Sequence, residues 1–317
     1  MVELKNKDIL ITGATGFVGA NIVRKSLDLG ANVHIITRES SDKWRINDLL
    51  KDLNAYNVDL LEHEKLIQIV SKIEPSIIFH LATYGGSPFQ KDSNLIIKSN
   101  FIGTFNLVNA CKKADFELFV NTSSSSEYGI KSGPMEENDM LEPANDYGVS
   151  KAASTLYCQS IARREELPIV TLRLFSPYGY YESPTRLIPS VIMACLKNEN
   201  PKVTSPHYVR DFIFIDDVID SYIKTAEKVK FRGDIFNIGQ GIQHSIGEVV
   251  NKIIEMTGNK VDAKWGSESK WLNEPEIWQA NITKANKILK WKPKFSLEQG
   301  LSKTIKWFEK NSQLYKL

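Results

Sequence analysis

Tyr147 and Lys151 stand four residues apart in "NDYGVSKAASTLYC", a spacing that puts a phenol and an ammonium on one face of a helix. A free tyrosine ionises near pH 10 and transfers protons poorly at neutrality. A neighbouring ammonium favours the phenolate, and lowering the pKa by about 3 pH units corresponds to roughly 4 kcal/mol. Such a pair can pass a proton to or from a substrate oxygen, although the spacing also arises by chance in many helices. Near the N-terminus, "GATGFVG" sets Gly13, Gly16 and Gly19 at three-residue intervals directly after an apolar run. One glycine there permits a tight turn, a second lets a pyrophosphate approach, and the third lets helix pack on strand; exposed N–H groups and the helix dipole then attract phosphates. Between these two sites, "VNTSSSSEYGI" (120–130) puts four serines at the end of an apolar run. Taken alone, the run reads as a solvated loop.

The elements that must position these residues follow from periodicity. Short apolar, β-branched runs at 8–12, 32–37, 55–60, 76–82, 117–123 and 168–175 alternate with helical patterns over Phe17 to Leu29, Glu62 to Ile73, Ile96 to Ala114 and Tyr147 to Glu166. Strands apolar on both faces and separated by helices call for a parallel sheet covered on both sides, a doubly wound α/β fold. Past residue 175 the pattern loosens into "SPYGYYESPTRLIPSVI". The expected organisation is a Rossmann-type dinucleotide-binding domain over 1–175, with return segments near 210–240, and a smaller C-terminal α/β lobe over 176–317.

The 317 residues carry 40 basic and 38 acidic side chains, a formal charge of +2, which gives no reason to invoke nucleic acid or an anionic membrane as partner. Cys111, Cys158 and Cys195 lack metal-ligand spacing and read as reduced core residues of a cytosolic protein; no metal is expected. "MVELKNKDIL" does not resemble a signal peptide, and no apolar run reaches the roughly 18 to 20 residues that span a bilayer. The end of the second strand bears on cofactor choice. An acid there would accept from the adenosine ribose, whereas this chain has Thr37 and Arg38, which suit a 2′-phosphate and favour NADP over NAD. Asp59 can accept from the adenine amino group or, equally, cap a helix.

In combination, "GATGFVG", "IIFHLAT" (77–83), "SNFIGTFNLVNA" (99–110), the serine run, "YGVSK", "RLFSPYG" (173–179), "RDFIFIDDV" (210–218) and "ILKWKPK" (288–294) reach further. Over essentially its whole length the chain resembles the extended short-chain dehydrogenase/reductase family, in its nucleotide-sugar branch. The resemblance implies NAD(P) on the Rossmann domain and a nucleotide-linked sugar on the C-terminal lobe. It implies Tyr147 as acid/base, Lys151 holding the nicotinamide ribose and tuning the tyrosine, and Ser124 as the hydroxyl that polarises a sugar carbonyl. Ser124 would close a strand at the crevice where such sheets bind ligands. To Gly13, Gly16, Gly19, Thr37, Arg38 and Asp59 the cofactor set adds Phe17, Val18, Leu60, Leu81 and Ala82. Asn100 and His80 match positions expected to be structural.

Within that branch, 4,6-dehydratases resemble one another in carrying Asp-Glu directly after the catalytic hydroxyl, because eliminating water needs an acid and a base. Ser125 and Ser126 stand there, which argues against dehydration, and Glu127 is one residue out of register. The Thr37-Arg38 pair and the similarity of several motifs to reductases that finish 6-deoxysugars point first to NADPH-dependent reduction of a 4-keto-6-deoxy nucleotide sugar. A nucleotide-sugar 4-epimerase is the alternative, and a non-catalytic dinucleotide sensor a more distant one. Substrate contacts are expected from Ser176, Arg186, Arg210 and Lys270, with Arg210 as the diphosphate ligand or else the salt-bridge partner of Asp216 or Asp217. Trp265, Trp271 and Trp278 could stack on a base or pack in the core. The resemblance also implies a homodimer through the helices over Ile96 to Ala114 and Tyr147 to Glu166.

Overall fold

The structure, a computed structural model, describes residues 4–87, 89–228, 230–258, 260–266 and 275–315. The first half runs β1 (Asp8–Thr12), α1 (Phe17–Asp28), β2 (Asn32–Thr37), β3 (Asn54–Asn57), α2 (His63–Ile73), β4 (Ile77–His80), α3 (Ser93–Ile97), α4 (Gly103–Cys111), β5 (Leu118–Ser124), α5 (Asp146–Arg164) and β6 (Ile169–Leu174). There follow β7 (Ser176–Tyr178), α6 (Leu187–Leu196), β8 (Lys202–Val203), β9 (Val209–Arg210), β10 (Phe212–Phe214), α7 (Ile215–Ala226), β11 (Asp234–Ile238), β12 (His244–Ser245), α8 (Ile246–Thr257), β13 (Lys264–Trp265) and α9 (Leu297–Asn311).

Seven strands form one parallel sheet in the order β11-β6-β5-β4-β1-β2-β3. Alternation divides the core between its faces: Leu10, Ile78 and Phe119 pack on one side, and Ile9, Ile11, Phe79 and Val120 on the other. The order reverses between β1 and β4, which opens a crevice at their carboxyl ends. The glycine turn leaves β1 there, and the serine run leaves β5 one strand further on.

Several elements depart from expectation. The helix expected over Ile96 to Ala114 begins at Ser93, where the Asp92 carboxylate accepts from the Leu95 amide, and is broken by a wide π-type turn at Lys98–Ile102. Asn100 lies in that turn with its side chain bonded inward. The strand expected over 55–60 stops at Asn57, because Asp59 closes a turn by accepting from the Leu61 amide. A 3₁₀ segment at Trp44–Asp52, which no periodicity had marked, is held by the Arg24–Asp48 ion pair at 2.7 Å.

After β6 the chain builds a second layer from the parallel pair β7 and β10, the antiparallel pair β9 and β12, the parallel pair β8 and β13, and helices α6, α8 and α9. It returns to the main sheet as β11, beside β6. Two buried carboxylates tie the later segments together. Asp211 accepts from the amides of Gln240 (2.5 Å), Gly241 (3.0 Å) and Ala280 (2.9 Å), and Asp217 accepts from those of Lys294 (2.8 Å) and Phe295 (3.2 Å). Burial still pushes the Asp211 carboxyl up to about 6.

The glycine turn is sterically closed. Gly13 has φ +70°, and a Cβ there would lie 2.6 Å from the Ala82 nitrogen; a Cβ on Gly19 would lie 2.1 Å from the Gly13 carbonyl oxygen. Gly16 caps α1 with no side chain of its own. Replacing Gly19→Ala should therefore force α1 away from β1 and destabilise the fold by on the order of 3 kcal/mol. A clear drop in the urea midpoint is expected, and an unchanged midpoint would contradict the packing described.

Candidate active site

β5 delivers Ser124 to the crevice, and α5, capped by Asn145 accepting from the Gly148 amide (2.8 Å), delivers Tyr147 and Lys151. Gly148 allows the approach: a Cβ there would sit 2.5 Å from the Ser126 carbonyl oxygen. The Tyr147 phenol lies close enough to the Ser124 and Thr83 hydroxyls and to the Arg186 guanidinium for each to favour its ionised form. Burial opposes all three more strongly and raises its pKa, as, to a lesser degree, does Glu127. Burial thus outweighs the groups that face this phenol. Lys151 is itself only 4% exposed, and burial lowers its ammonium to about 8 even though Glu127 works against the fall.

Each serine of the run has its own partner. Ser123 donates to Glu127; the Ser124 hydroxyl accepts from the Ser126 amide (3.1 Å); Ser125 accepts from the Trp278 indole (3.2 Å). Glu127 is wholly buried, and burial pushes its carboxyl upward. Arg173 Nε donates to its Oε2 (2.7 Å) and Thr155 to its Oε1 (2.7 Å). Arg173 donates onward to the Tyr128 hydroxyl (2.8 Å) and the Glu137 carbonyl (3.1 Å), and Tyr128 donates to Asn237 (2.7 Å).

On the cofactor side, the amide end of α1 is left without a side-chain cap or a first-turn acid beside the closed glycine turn. The uncapped amides of that first turn, which holds Phe17 and Val18, fit a dinucleotide pyrophosphate. Leu81 and Ala82, directly after β4, lie against Gly13 of the turn. Thr37 is buried, Arg38 is exposed, and Leu60 is buried with its carbonyl accepting from Asn106 (2.9 Å). His80 is neutral between the Thr12 (2.7 Å) and Thr104 (2.8 Å) hydroxyls, its pKa lowered to about 3 by burial and then by Lys151. Asn100 bonds the Tyr84 amide and carbonyl, the Thr83 hydroxyl and Ser150.

The substrate-side residues are dispersed. Arg186 reaches back to the Gly86 carbonyl (2.5 Å), and Gly86 flanks the Tyr147 ring. Ser176 donates its amide to the Asp211 carbonyl (3.0 Å). Arg210 is part-buried, its guanidinium 5.5 Å above the Trp278 ring centre. Of the carboxylates considered for it, Asp217 serves two amides and Asp216 lies 3.9 Å from Lys303. Lys270 and Trp271 lie outside the described residues, and Trp265 is 37% exposed. Sequence reasoning passed over Thr83, Arg173, Arg45 and Glu182, and left Trp278 between stacking on a base and packing in the core. A buried arginine inside a strand pattern was the one available signal.

The loop before Arg186 is braced on the glycine turn: Arg45 donates to the Tyr181 carbonyl (2.7 Å) and to that of Thr15 (3.3 Å). Beside it Glu182 is buried, and its Oε2 finds no hydrogen-bond partner among the described residues.

The parallel sheet, glycine turn and tyrosine–lysine pair define a dinucleotide-dependent enzyme of the short-chain dehydrogenase/reductase type. The chain belongs to the NAD dependent epimerase/dehydratase family, which it matches over residues 9–239. It is 28% identical over 322 residues to the UDP-glucuronate 4-epimerase of Thermodesulfobacterium geofontis, covering 97% of this chain and 98% of that one. Among solved structures it resembles the UDP-glucuronic acid 4-epimerase of Bacillus cereus in complex with UDP-glucuronic acid and NAD (TM-score 0.85, 27% identity, 97% and 99% of the chains). It also resembles the dTDP-glucose 4,6-dehydratase of Bacillus anthracis in complex with NAD (TM-score 0.86, 25% identity, 97% and 98%). Two expectations change. The preference for NADP finds no support in a family described as NAD dependent with NAD-bound neighbours, and the 4-epimerase alternative fits these relatives better than reduction of a 4-keto sugar. Among the described residues no helix is long and apolar enough to cross a membrane, and the three cysteines are free and buried.

Burial raises the Glu182 carboxyl to about 8. Its folded-state pKa is above the unfolded value, so its contribution is fully present below about pH 4.5 and is lost as pH rises through about 8. Glu182→Gln should thus melt close to the parent near pH 5 and a few degrees above it near pH 9. A difference in melting temperature that stays flat with pH would show that this carboxyl is not held neutral.

Proposed function

We propose that the protein is an NAD-dependent 4-epimerase of a nucleotide-linked sugar. The observation that carries this reading is the chemistry of the serine run. Ser124 lies beside Tyr147, hydroxyls occupy 125 and 126 where elimination of water would need an acid, and the nearest carboxylate, Glu127, is buried and ion-paired to Arg173. Oxidation and reduction at one carbon are thus served, and dehydration is not.

NAD, which the glycine turn and the α1 amides would hold, would supply the hydride acceptor and donor for the sugar C4 that inversion at that carbon requires. The chain does the rest. Tyr147 exchanges the C4 hydroxyl proton, Ser124 donates a hydrogen bond to the oxygen as it becomes carbonyl, and Lys151 holds the ribose and keeps positive charge near the phenol. Arg210, stacked on Trp278, is the candidate for the diphosphate, and Ser176 lines the same lobe, built mainly from 176–317 apart from the return of the chain to the main sheet as β11.

Arg186 supports a narrower reading. Its guanidinium lies close enough to Tyr147 to act on the phenol, at the sugar end of the site, and a fixed cation there favours a uronate over a neutral hexose. A homodimer is also proposed, through the apolar side chains that α4 and α5 leave exposed, including Phe105 and Leu156. Leu156→Arg should then elute as a monomer, and an unchanged elution volume would count against this surface.

The purified protein, with no added reductant, should convert UDP-glucuronate or UDP-glucose to the C4 epimer, resolved by chromatography, and should release NAD on denaturation. Tyr147→Phe should lower turnover at least about a hundredfold while retaining NAD. Consumption of NADPH by a 4-keto-6-deoxy sugar nucleotide, without epimerisation, would restore the reductase reading.

A further inference from the structure

Glu127 is an acidic residue that the reaction does not use directly, yet it sits at the centre of a buried polar cluster near the site. Glu127 has no solvent exposure, and Arg173 is only 2% exposed. Thr155, which donates to Glu127 Oε1 (2.7 Å), is one helical turn beyond Lys151 on α5, so both side chains leave the helix on the face turned to Glu127. We propose that Glu127 is a positioning residue for Lys151: from beneath the serine run its carboxylate keeps the lysine charged and aimed at the crevice, and Arg173 holds the carboxylate in place.

The charges around Lys151 leave this task to Glu127. On β4, His80 is neutral, held between two threonines. On α5 itself are Tyr147 and Cys158, the latter a thiol whose ionisation burial suppresses. On β6, Arg173 faces Glu127, and Arg186 lies on the far side, by Tyr147. Burial drives the ammonium toward its neutral form, and Glu127 is the carboxylate that opposes this. The same carboxylate disfavours a Tyr147 phenolate, so the arrangement favours a charged lysine at some cost to the tyrosine. Ser123, which donates to Glu127 directly before Ser124, links the arrangement to the substrate hydroxyl.

The inference rests on the epimerase reading only in that Lys151 serves turnover. Its test therefore uses no substrate: the Lys151 side chain is titrated by NMR in protein carrying isotope-labelled lysines, with the signal assigned by its loss in Lys151→Arg. In the charge-neutral pair Glu127→Gln with Arg173→Met, the Lys151 midpoint should fall by about one pH unit or more, a tenfold change in its protonation equilibrium. In Arg173→Lys alone, which keeps a cation beside the carboxylate, it should stay near the parent value. The alkaline limb of the turnover profile should move down with the midpoint in the first variant and not in the second. An unchanged midpoint in the folded pair variant overturns the proposal. So does loss of the fold in both variants, which would make the pair a lock on the fold alone. A parent protein that epimerises nothing, alongside a fallen midpoint, overturns the function and leaves the positioning role standing.

Discussion

A carboxylate and a guanidinium, both removed from water, hold this site together. Separating either from its partner leaves a buried charge uncompensated, typically a loss of about 3 to 5 kcal/mol, whereas the intact pair gains little over well-packed apolar residues. Its contribution is thus geometric. Glu127 fastens the end of β5 to α5 through Ser123 and Thr155, and Arg173 fastens β6 to Tyr128 and, through it, to Asn237 on β11. Three neighbouring strands and the catalytic helix thereby share one polar anchor, and the position of Ser124 relative to Tyr147 follows from it.

Burial opposes both charged forms that the chemistry wants, the Lys151 ammonium and the Tyr147 phenolate. The chain answers from different directions: Glu127 supports the ammonium from below, while Arg186 and the hydroxyls of Ser124 and Thr83 support the phenolate from the open side. A tyrosine–lysine pair read as a self-contained unit misses this, because dry surroundings weaken the lysine as well as the tyrosine.

The sheet, and the meeting of β5 with α5 that brings Ser124 beside Tyr147, were legible in the sequence for physical reasons. Strands buried on both faces must be apolar throughout, so β1, β4 and β5 announce themselves, and a backbone that passes within van der Waals contact of another requires glycine, which marks Gly13, Gly19 and Gly148. Arg173 was hidden because a residue buried by a long-range ion pair looks, in one dimension, like an irregularity in a strand. Thr83 comes from a loop whose course is set by tertiary contacts and leaves no periodic trace, and for the same reason the place of Trp278 beside Ser125 could not be read from its type. The second strand gave a preference that found no support. Arg38 suggests a phosphate partner by its type, but its side chain is exposed and the relatives bind NAD.

The bridge between Met135 and Ala280, and the Ala280 amide that Asp211 accepts, join residues far apart in the chain. Asn237 lies in the same knot, donating to the Met135 carbonyl and accepting from Tyr128. During synthesis, the strands and the glycine turn of the first half emerge well before these partners. The wall behind the serine run closes only when residue 280 has left the ribosome. Competence for chemistry is therefore a late event in the life of the chain, gated by the order of translation.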